Sequence, residues 1–198
     1  MRVIGLTGGI ASGKSTVSKY LSKTYGVTVI DADKTARALA EKGAPLWEAY
    51  KARYGEKILL PDGNLDRGAV AETVFHSPEE KKWMDETSHP MIKKRFLEEF
   101  SAAKSRGESA LLLDVPLLFE AGWEDLADEV WVVYVDEDTE VKRLMKRNGL
   151  PEDEARARIA AQMPLEEKRN RADVVIDNRG SKEDAMRQVD AAFSRAFR

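Results

Sequence analysis

Residues 8–16, GGIASGKST, match the pattern G-x-x-x-x-G-K-[ST], which is typical of loops that bind nucleoside triphosphates. Glycine lets the backbone curl so that successive N–H groups face one concavity, and a helix beginning near Gly13 adds the positive end of its dipole. Lys14 could reach the β and γ phosphates, Ser15 could place its hydroxyl on Mg²⁺, and Thr16 could bond the α phosphate. The segment therefore predicts a site for ATP with Mg²⁺.

The neighbours of this loop favour the same interpretation. An apolar strand at Val3–Leu6 leads into the loop, and a helix that carries Val17 and Leu21 leads out of it. The alternative is a chance match in a glycine-rich turn, which would not need that strand and that helix. We therefore expect residues 8–16 to form a phosphate-binding loop.

Acidic residues follow the second predicted strand, which ends at Asp31. Asp31 and Asp33 should lie at the carboxyl edge of the sheet, where open α/β folds bind their ligands. One or both could accept a proton from an attacking hydroxyl, orient it, or hold water on Mg²⁺. A simple helix N-cap at Asp33 is the alternative. Because Arg37 follows one turn further on, we favour a functional role for the pair.

Three further polar residues are candidates for the same site. Asp114 ends an apolar strand and could support Mg²⁺ or substrate, or could be a turn residue before a proline. Asn178 follows the last predicted strand, and its amide could contact an adenine edge, although a plain strand-to-helix turn is the alternative. His89 precedes Pro90 and could start a helix as its cap, and taken alone a structural role is favoured over a catalytic one.

Five short apolar runs predict the strands that position these residues. They lie at residues 2–7, 27–31, 109–115, 129–135 and 173–177. The third and fourth runs are apolar on both faces, which is typical of parallel strands covered by helices on either side. Helix starts are predicted at Ser77, where Pro78 and Glu80 complete a capping box, and at Ser181 with Asp184. The sequence predicts an α/β fold with a five-stranded parallel sheet flanked by helices.

Two segments are too long for simple connections between strands. Roughly 75 residues separate the second strand from the third, and their helical patterns predict a helical insertion at residues 35–105. A second insertion, at residues 141–171, holds nine Lys and Arg against five Asp and Glu. Its Arg143, Arg147 and Arg158 would suit a lid that closes over a transferring phosphoryl group and excludes water. A solvated helix face is the alternative interpretation of this charge.

Composition sets outer limits on function. The chain has 198 residues, no cysteine and a formal net charge of −3. The lack of cysteine excludes disulfides and thiolate metal sites, and the negative net charge disfavours long-range attraction to nucleic acid. No apolar run approaches the roughly 20 residues that span a bilayer, and no signal-peptide pattern opens the chain. We expect a soluble protein of the reducing cytoplasm, one P-loop domain over residues 1–198, with no membrane partner and no evident obligate protein partner.

The ordered set of motifs resembles the dephospho-CoA kinase family nearly from end to end. The resemblance rests on the loop with its preceding Gly5-Leu6-Thr7, Asp31-Ala32-Asp33 with Arg37, His89-Pro90, the segment DVPLLFE at 114–120, Arg147, Arg158-Ile159, Gln162, Lys168, and the ending from Ala172-Asp173 to Asn178 and Gly180. It implies phosphoryl transfer from ATP to the ribose 3′-hydroxyl of dephospho-CoA, which is the last step of coenzyme A synthesis. It also implies that residues 35–105 bind the CoA moiety and that residues 141–171 form the lid. Ala11 stands where the family commonly has glycine, which a small methyl group should accommodate.

The resemblance implies a division of roles among the candidates. Asp33 would position and deprotonate the ribose hydroxyl, while Lys14, Mg²⁺ and Arg147 stabilise in-line transfer. Substrate contacts would come from Asp31, Arg37, His89 and Asp114, and Mg²⁺ would bind Ser15, with Asp114 as a further candidate ligand. The ATP contacts would come from Gly8, Ala11, Ser12, Gly13, Lys14, Ser15, Thr16 and Asn178.

Two other classes of function are compatible with the loop. One is another P-loop small-molecule or nucleoside kinase, which an assay of acceptors would distinguish. The other is a non-catalytic P-loop regulator, for which a guanine-reading N-K-x-D signature would be expected, and the sequence contains none.

Overall fold

A five-stranded parallel sheet with the order β2-β3-β1-β4-β5 organises the chain. The computed structural model describes residues 1–197, without the side chains of Phe75 and His76. The strands are β1 Arg2–Gly8, β2 Thr28–Asp31, β3 Ala110–Asp114, β4 Glu129–Tyr134 and β5 Val174–Asp177. The predicted parallel α/β sheet is therefore confirmed, and each strand lies within its predicted apolar run or one residue beyond it.

The described residues form nine α-helices and two short 3₁₀ turns. The helices are α1 Lys14–Tyr25, α2 Ala32–Leu39, α3 Pro45–Tyr54, α4 Arg67–His76, α5 Pro78–Ser105, α6 Glu137–Asn148, α7 Glu152–Ala160, α8 Leu165–Arg171 and α9 Lys182–Ala196, and the 3₁₀ turns are Gly55–Ile58 and Glu124–Leu126. None of these helices has the length and apolar content needed to cross a membrane. The chain divides into a sheet unit, Met1–Ile30 with Ala103–Arg198, and a helical unit, Asp31–Ala102.

The core of the sheet unit explains why its strands are apolar on both faces. All residues of β3 and β4 are buried, and Leu112 and Trp131 have no exposed surface. Helices α1 and α9 cover one face with Leu21 and Val189, which are also fully buried. A parallel sheet covered on both sides cannot alternate polar and apolar residues, so continuous apolar runs are its signature.

The helical unit has a core of its own. Leu46, Tyr50, Tyr54, Ile58 and Met84 are buried together. At its edge, Arg53 donates two hydrogen bonds to Glu80, at 2.8 and 2.9 Å, and its guanidinium lies 4.4 Å from the centre of the Trp83 ring. These contacts tie α3 to the start of α5.

Helix α5 contradicts one prediction. Ser77 caps it as predicted, accepting a hydrogen bond from the Glu80 N–H at 3.2 Å, but the helix continues for 28 residues through Pro90. The prediction that His89 caps a new helix was therefore wrong. A proline in a helix interior removes one hydrogen bond. Here the helix persists because Met84 before the proline and Ile92 after it are both buried.

Candidate active site

The phosphate-binding loop lies between β1, which ends at Gly8, and α1, which begins at Lys14. Gly13 has a φ of 99° and Ala11 a φ of 63°, both in the left-handed region. A residue with a Cβ pays roughly 1–2 kcal/mol for that conformation. The cost of alanine at position 11 is therefore set by the backbone conformation of the loop and not by the size of its methyl group.

Three carbonyl groups of the loop accept hydrogen bonds from donors within the protein. Gly9 O accepts from the Ser12 N–H at 3.2 Å, and Gly13 O accepts from the Thr16 N–H at 2.9 Å. Ser12 O accepts from Asn178 Nδ2 at 2.7 Å and from Arg143 at 3.5 Å. The loop curvature is therefore fixed by hydrogen bonds within the protein.

Asn178 and Arg143 hold the loop from the end of β5 and from α6. Arg143 also donates to Asn178 O at 2.9 Å, and the Asn178 N–H donates to Tyr134 O at 2.8 Å. A methyl group on Gly13 would lie 2.2 Å from Asn178 Nδ2, so the amide packs tightly against the loop. The predicted adenine contact of Asn178 stays a prediction. Sequence reasoning missed that its amide binds the loop backbone.

Lys14 forms an ion pair with Asp114, which is the last residue of β3. Both side chains are largely buried, whereas Ser15 is exposed at the start of α1. The structure thus brings Lys14 and Asp114 together at the carboxyl edge of the sheet. Asp114 is a charged group within the site rather than only a turn residue.

A buried lysine fixes the segment that follows β3. Lys168, on α8, has no exposed surface, and its Nζ donates to Pro116 O at 2.9 Å and pairs with Glu120 at 2.8 Å. The Thr7 hydroxyl, at the end of β1, also donates to Pro116 O, at 2.9 Å. These bonds join α8 to the strand ends beside the loop. The family resemblance included Lys168 but implied no role for it. Its burial could not be predicted, because a run of charged residues is usually exposed to solvent.

Glu140 on α6 is a second buried ionisable group, and no sequence argument selected it. Only 2% of its surface is exposed, and burial raises the pKa of its carboxyl to about 7. The one available signal was its helical spacing, because Glu140 lies one turn before the buried Leu144.

In the helical unit, Asp31 and Asp33 have different environments. Asp31 is the N-cap of α2, where its Oδ1 accepts from the Lys34 N–H at 3.0 Å. Asp33 lies exposed in the first turn. The alternative that Asp33 is the cap is therefore wrong, and its carboxylate is available to solvent and ligands.

Helix α2 also borders two clefts of the helical unit. One, of about 450 Å³, is lined by Arg37 and Arg67 together with apolar residues such as Leu46 and Val70. The other, of about 590 Å³, is lined by Lys34, Thr35, Ala38, Leu39, Ala44, Pro45, Met91, Lys94, Arg95, Glu98 and Glu99. Each cleft therefore combines positive charge with apolar surface.

The remaining predicted residues lie at the surface. Arg147, at the end of α6, is exposed, and its Nε donates to Asn148 Oδ1 at 2.8 Å. His89, on α5 of the helical unit, lies 3.7 Å from Asp85. The contacts that the resemblance implies for them stay predictions.

Comparisons with known proteins identify close relatives of this arrangement. Residues 2–184 match the family described as dephospho-CoA kinase. The dephospho-CoA kinase of Geobacter sulfurreducens is 46% identical over 199 residues, and the match covers 100% of both chains. That of Symbiobacterium thermophilum is 46% identical over 196 residues, which is 99% of this chain and 82% of its own.

Solved structures agree with the sequence relatives. The crystal structure of TT1252 from Thermus thermophilus has a TM-score of 0.83 and 37% identity, covering 98% of this chain and 97% of that one. The dephospho-CoA kinase from Campylobacter jejuni has a TM-score of 0.72 and 30% identity, covering 98% and 96%. A shikimate kinase from Bacteroides thetaiotaomicron shares the fold alone, with a TM-score of 0.55 and 16% identity over 100% of this chain and 99% of that one.

The buried contacts of Lys168 predict a stability effect. Lys168→Met keeps the aliphatic stem but leaves Pro116 O and the partly exposed Glu120 without their ammonium partner, so the free energy of unfolding should fall by about 2 kcal/mol. Urea denaturation measures the loss. Lys146→Met, at an exposed position of α6, is the matched control and should change stability by no more than about 0.5 kcal/mol. Equal effects of the two substitutions would contradict the assignment.

Proposed function

The chain belongs to the dephospho-CoA kinase family, and we propose that its residues transfer the γ-phosphoryl group of ATP to the ribose 3′-hydroxyl of dephospho-CoA. The 3′ oxygen forms a bond to the γ phosphorus while the bond from that phosphorus to the β,γ-bridging oxygen breaks, which yields coenzyme A and ADP. The observation that carries the proposal is the curved loop held by Arg143 and Asn178, with Lys14 and Asp114 paired beside it.

The loop supplies the ATP site. Its N–H groups and the start of α1 attract phosphate oxygens, as at other helix N-termini. Lys14 pairs with Asp114 in the structure, and we infer that the ammonium exchanges this carboxylate for the β and γ phosphates when ATP binds. Lys14 then stabilises the charge that develops during transfer.

The donor set beside the loop fits Mg²⁺. Mg²⁺ prefers oxygen ligands and is usually held by one or two protein groups together with substrate phosphates. The exposed Ser15 hydroxyl and the Asp114 carboxylate are such groups, and residues 1–197 contain no cluster of three His, Asp or Glu that could hold a metal without phosphates. Bound there, Mg²⁺ would neutralise negative charge on the phosphates.

Asp33 is our candidate for the general base. It follows β2 by two residues, and its carboxylate is exposed, while the Asp31 side chain already caps α2. The base must accept the proton of the 3′-hydroxyl as that oxygen attacks. Asp31, fixed by its bond to the Lys34 N–H, would orient the start of α2 for this purpose.

The cleft lined by Arg37 and Arg67 is our candidate for the diphosphate and pantetheine arm of the acceptor. Two guanidinium groups suit two phosphate charges, because Arg donates paired hydrogen bonds to phosphate. The apolar lining of the same cleft, which includes Leu46 and Val70, suits the methyl and methylene groups of pantetheine.

The exposed part of residues 141–171 is our candidate for the lid, because Arg143 on α6 and Lys168 on α8 are anchored to the loop and to Pro116. Arg147 and Arg158 are exposed on its helices, where a phosphate could replace their present surface contacts. Closure would bring positive charge to the transferring group and exclude water that would otherwise hydrolyse ATP. The predicted His89 contact to the acceptor belongs to this same set of proposals.

An acceptor panel tests the function. With Mg²⁺ and ATP, the protein should release ADP in the presence of dephospho-CoA and stay near the background hydrolysis rate with AMP, adenosine or shikimate. Coupled measurement of ADP, with product identified by mass, gives the result. Preference for another acceptor would favour a different small-molecule kinase, and slow hydrolysis that no acceptor stimulates would favour a P-loop regulator.

The base assignment predicts the behaviour of Asp33→Asn. Loss of the proton acceptor should lower kcat by roughly 10²–10⁴-fold while the Kd for ATP stays unchanged, because the ATP site lies on the sheet unit. Glu48→Gln, which neutralises an exposed acid of α3, is the matched control and should keep wild-type turnover. Near-normal turnover of Asp33→Asn with a large loss in Asp31→Asn would move the base to Asp31.

The cleft assignment predicts the behaviour of Arg67→Ala. Loss of one charged contact to the acceptor should raise the KM for dephospho-CoA about tenfold and leave the KM for ATP unchanged. Arg95→Ala removes the same charge from the other cleft, where Arg95 pairs with Glu99 at 2.9 Å, and it should leave both KM values near wild type. The reverse pattern would place the acceptor in the larger cleft.

A further inference from the structure

Glu140 lies directly against the phosphate-binding loop. A methyl group on the Cα of Gly9 would lie 1.7 Å from Glu140 Oε1, so the carboxyl fills the space beneath that residue. Within residues 1–197, this buried oxygen has no hydrogen-bond partner. An unpaired polar atom in such a position is costly, and proteins usually retain one where it has a task.

The same face of α6 contacts the loop at two further positions. Arg143, three residues on, donates to Ser12 O, and the buried Leu144, four residues on, belongs to the apolar cluster that contains Ile10 and Ala11. Residues at this spacing share one side of a helix. Helix α6 therefore braces the loop with a carboxyl group, a guanidinium and an apolar side chain.

The charge around Glu140 is mixed. On its own element, Asp136 and Glu137 disfavour its ionisation, while Lys168 on α8 favours it. Arg156 on α7 and Glu166 on α8 line the same cleft of about 550 Å³. Burial is the largest effect and raises the pKa of Glu140 to about 7. The ammonium of Lys168 is already held by Pro116 O and Glu120, so it does not fully offset burial.

We propose that Glu140 is a positioning residue for ATP: its neutral carboxyl supports the loop, and its ionised form opposes the phosphates. This rests on the proposed function only in that the loop binds ATP. When the carboxyl is neutral, the concavity in front of Gly9 carries the positive potential of the N–H groups and Lys14. When it loses its proton, a negative charge lies beneath the loop in a region that water screens poorly, and phosphate binding weakens.

Glu140→Gln separates charge from shape, because the amide has nearly the volume of the acid and does not ionise. The Kd for ATP, measured by calorimetry from pH 6 to pH 8.5, should be the same in both proteins at pH 6. By pH 8.5 the wild-type Kd should exceed that of Glu140→Gln by about tenfold, the order expected for one added unit charge near a phosphate site. Titration of ATP itself cancels in this ratio.

Two further variants serve as controls for this measurement. Asp138→Asn, at an exposed position of the same helix, should keep the wild-type pH profile. Glu140→Met provides a second neutral side chain of similar length in case the amide folds poorly, and the ratio of the wild-type Kd to its Kd should rise with pH as it does for Glu140→Gln. A Kd ratio that does not change with pH, or weaker binding by both neutral variants at every pH, would overturn the proposal.

Activity measurements keep this inference distinct from the proposed function. If the wild-type protein releases no ADP with dephospho-CoA, the kinase assignment is contradicted. The ratio of the wild-type and Glu140→Gln Kd values for ATP would not be affected by that result. In an active enzyme, the KM for ATP should follow the same pH dependence as the Kd, while the KM for dephospho-CoA should not differ between wild type and Glu140→Gln.

Discussion

A loop that turns its N–H groups towards a phosphate must turn carbonyl groups the other way, and those carbonyls need donors. This constraint follows from the peptide unit, which carries its donor and acceptor on opposite sides. Ser12 O is the clearest case: its donors come from Asn178 at the end of β5 and from Arg143 on α6. The proposed ATP site thus depends on elements that lie more than a hundred residues further along the chain.

The parallel sheet makes this arrangement available. Its strands all end at one edge, so the residues that follow β1, β3 and β5 meet there without long connections. Thr7 and Lys168 both bind Pro116 O after β3, which fixes the segment next to Asp114. The same edge therefore carries both the groups that we propose bind phosphate and the groups that hold them in place.

The sequence predicted what depends on local pattern and missed what depends on distant contact. Apolar runs located all five strands, and Ser77 capped its helix as predicted, because both signals lie within a few residues of the chain. The helix through Pro90 was missed, since it is held by buried residues on both sides of the proline. The roles of Asn178, Lys168 and Glu140 depend on contacts with residues 20 or more positions away. No pattern of spacing specifies such contacts.

The distribution of charge connects the net value to the site. A net charge of −3 averages Lys14 and the basic residues 141–171, which hold nine Lys and Arg against five Asp and Glu, with a more acidic remainder of the chain. Glu140 and Lys168 are both buried near the loop. Burying a charged side chain costs free energy that an ion pair at the surface does not. Buried charges of this kind add little to stability by themselves. Under the proposed function, Glu140 beside Gly9 and Lys168 beside Pro116 set the electrostatic potential and the shape of a site that must bind a polyanion.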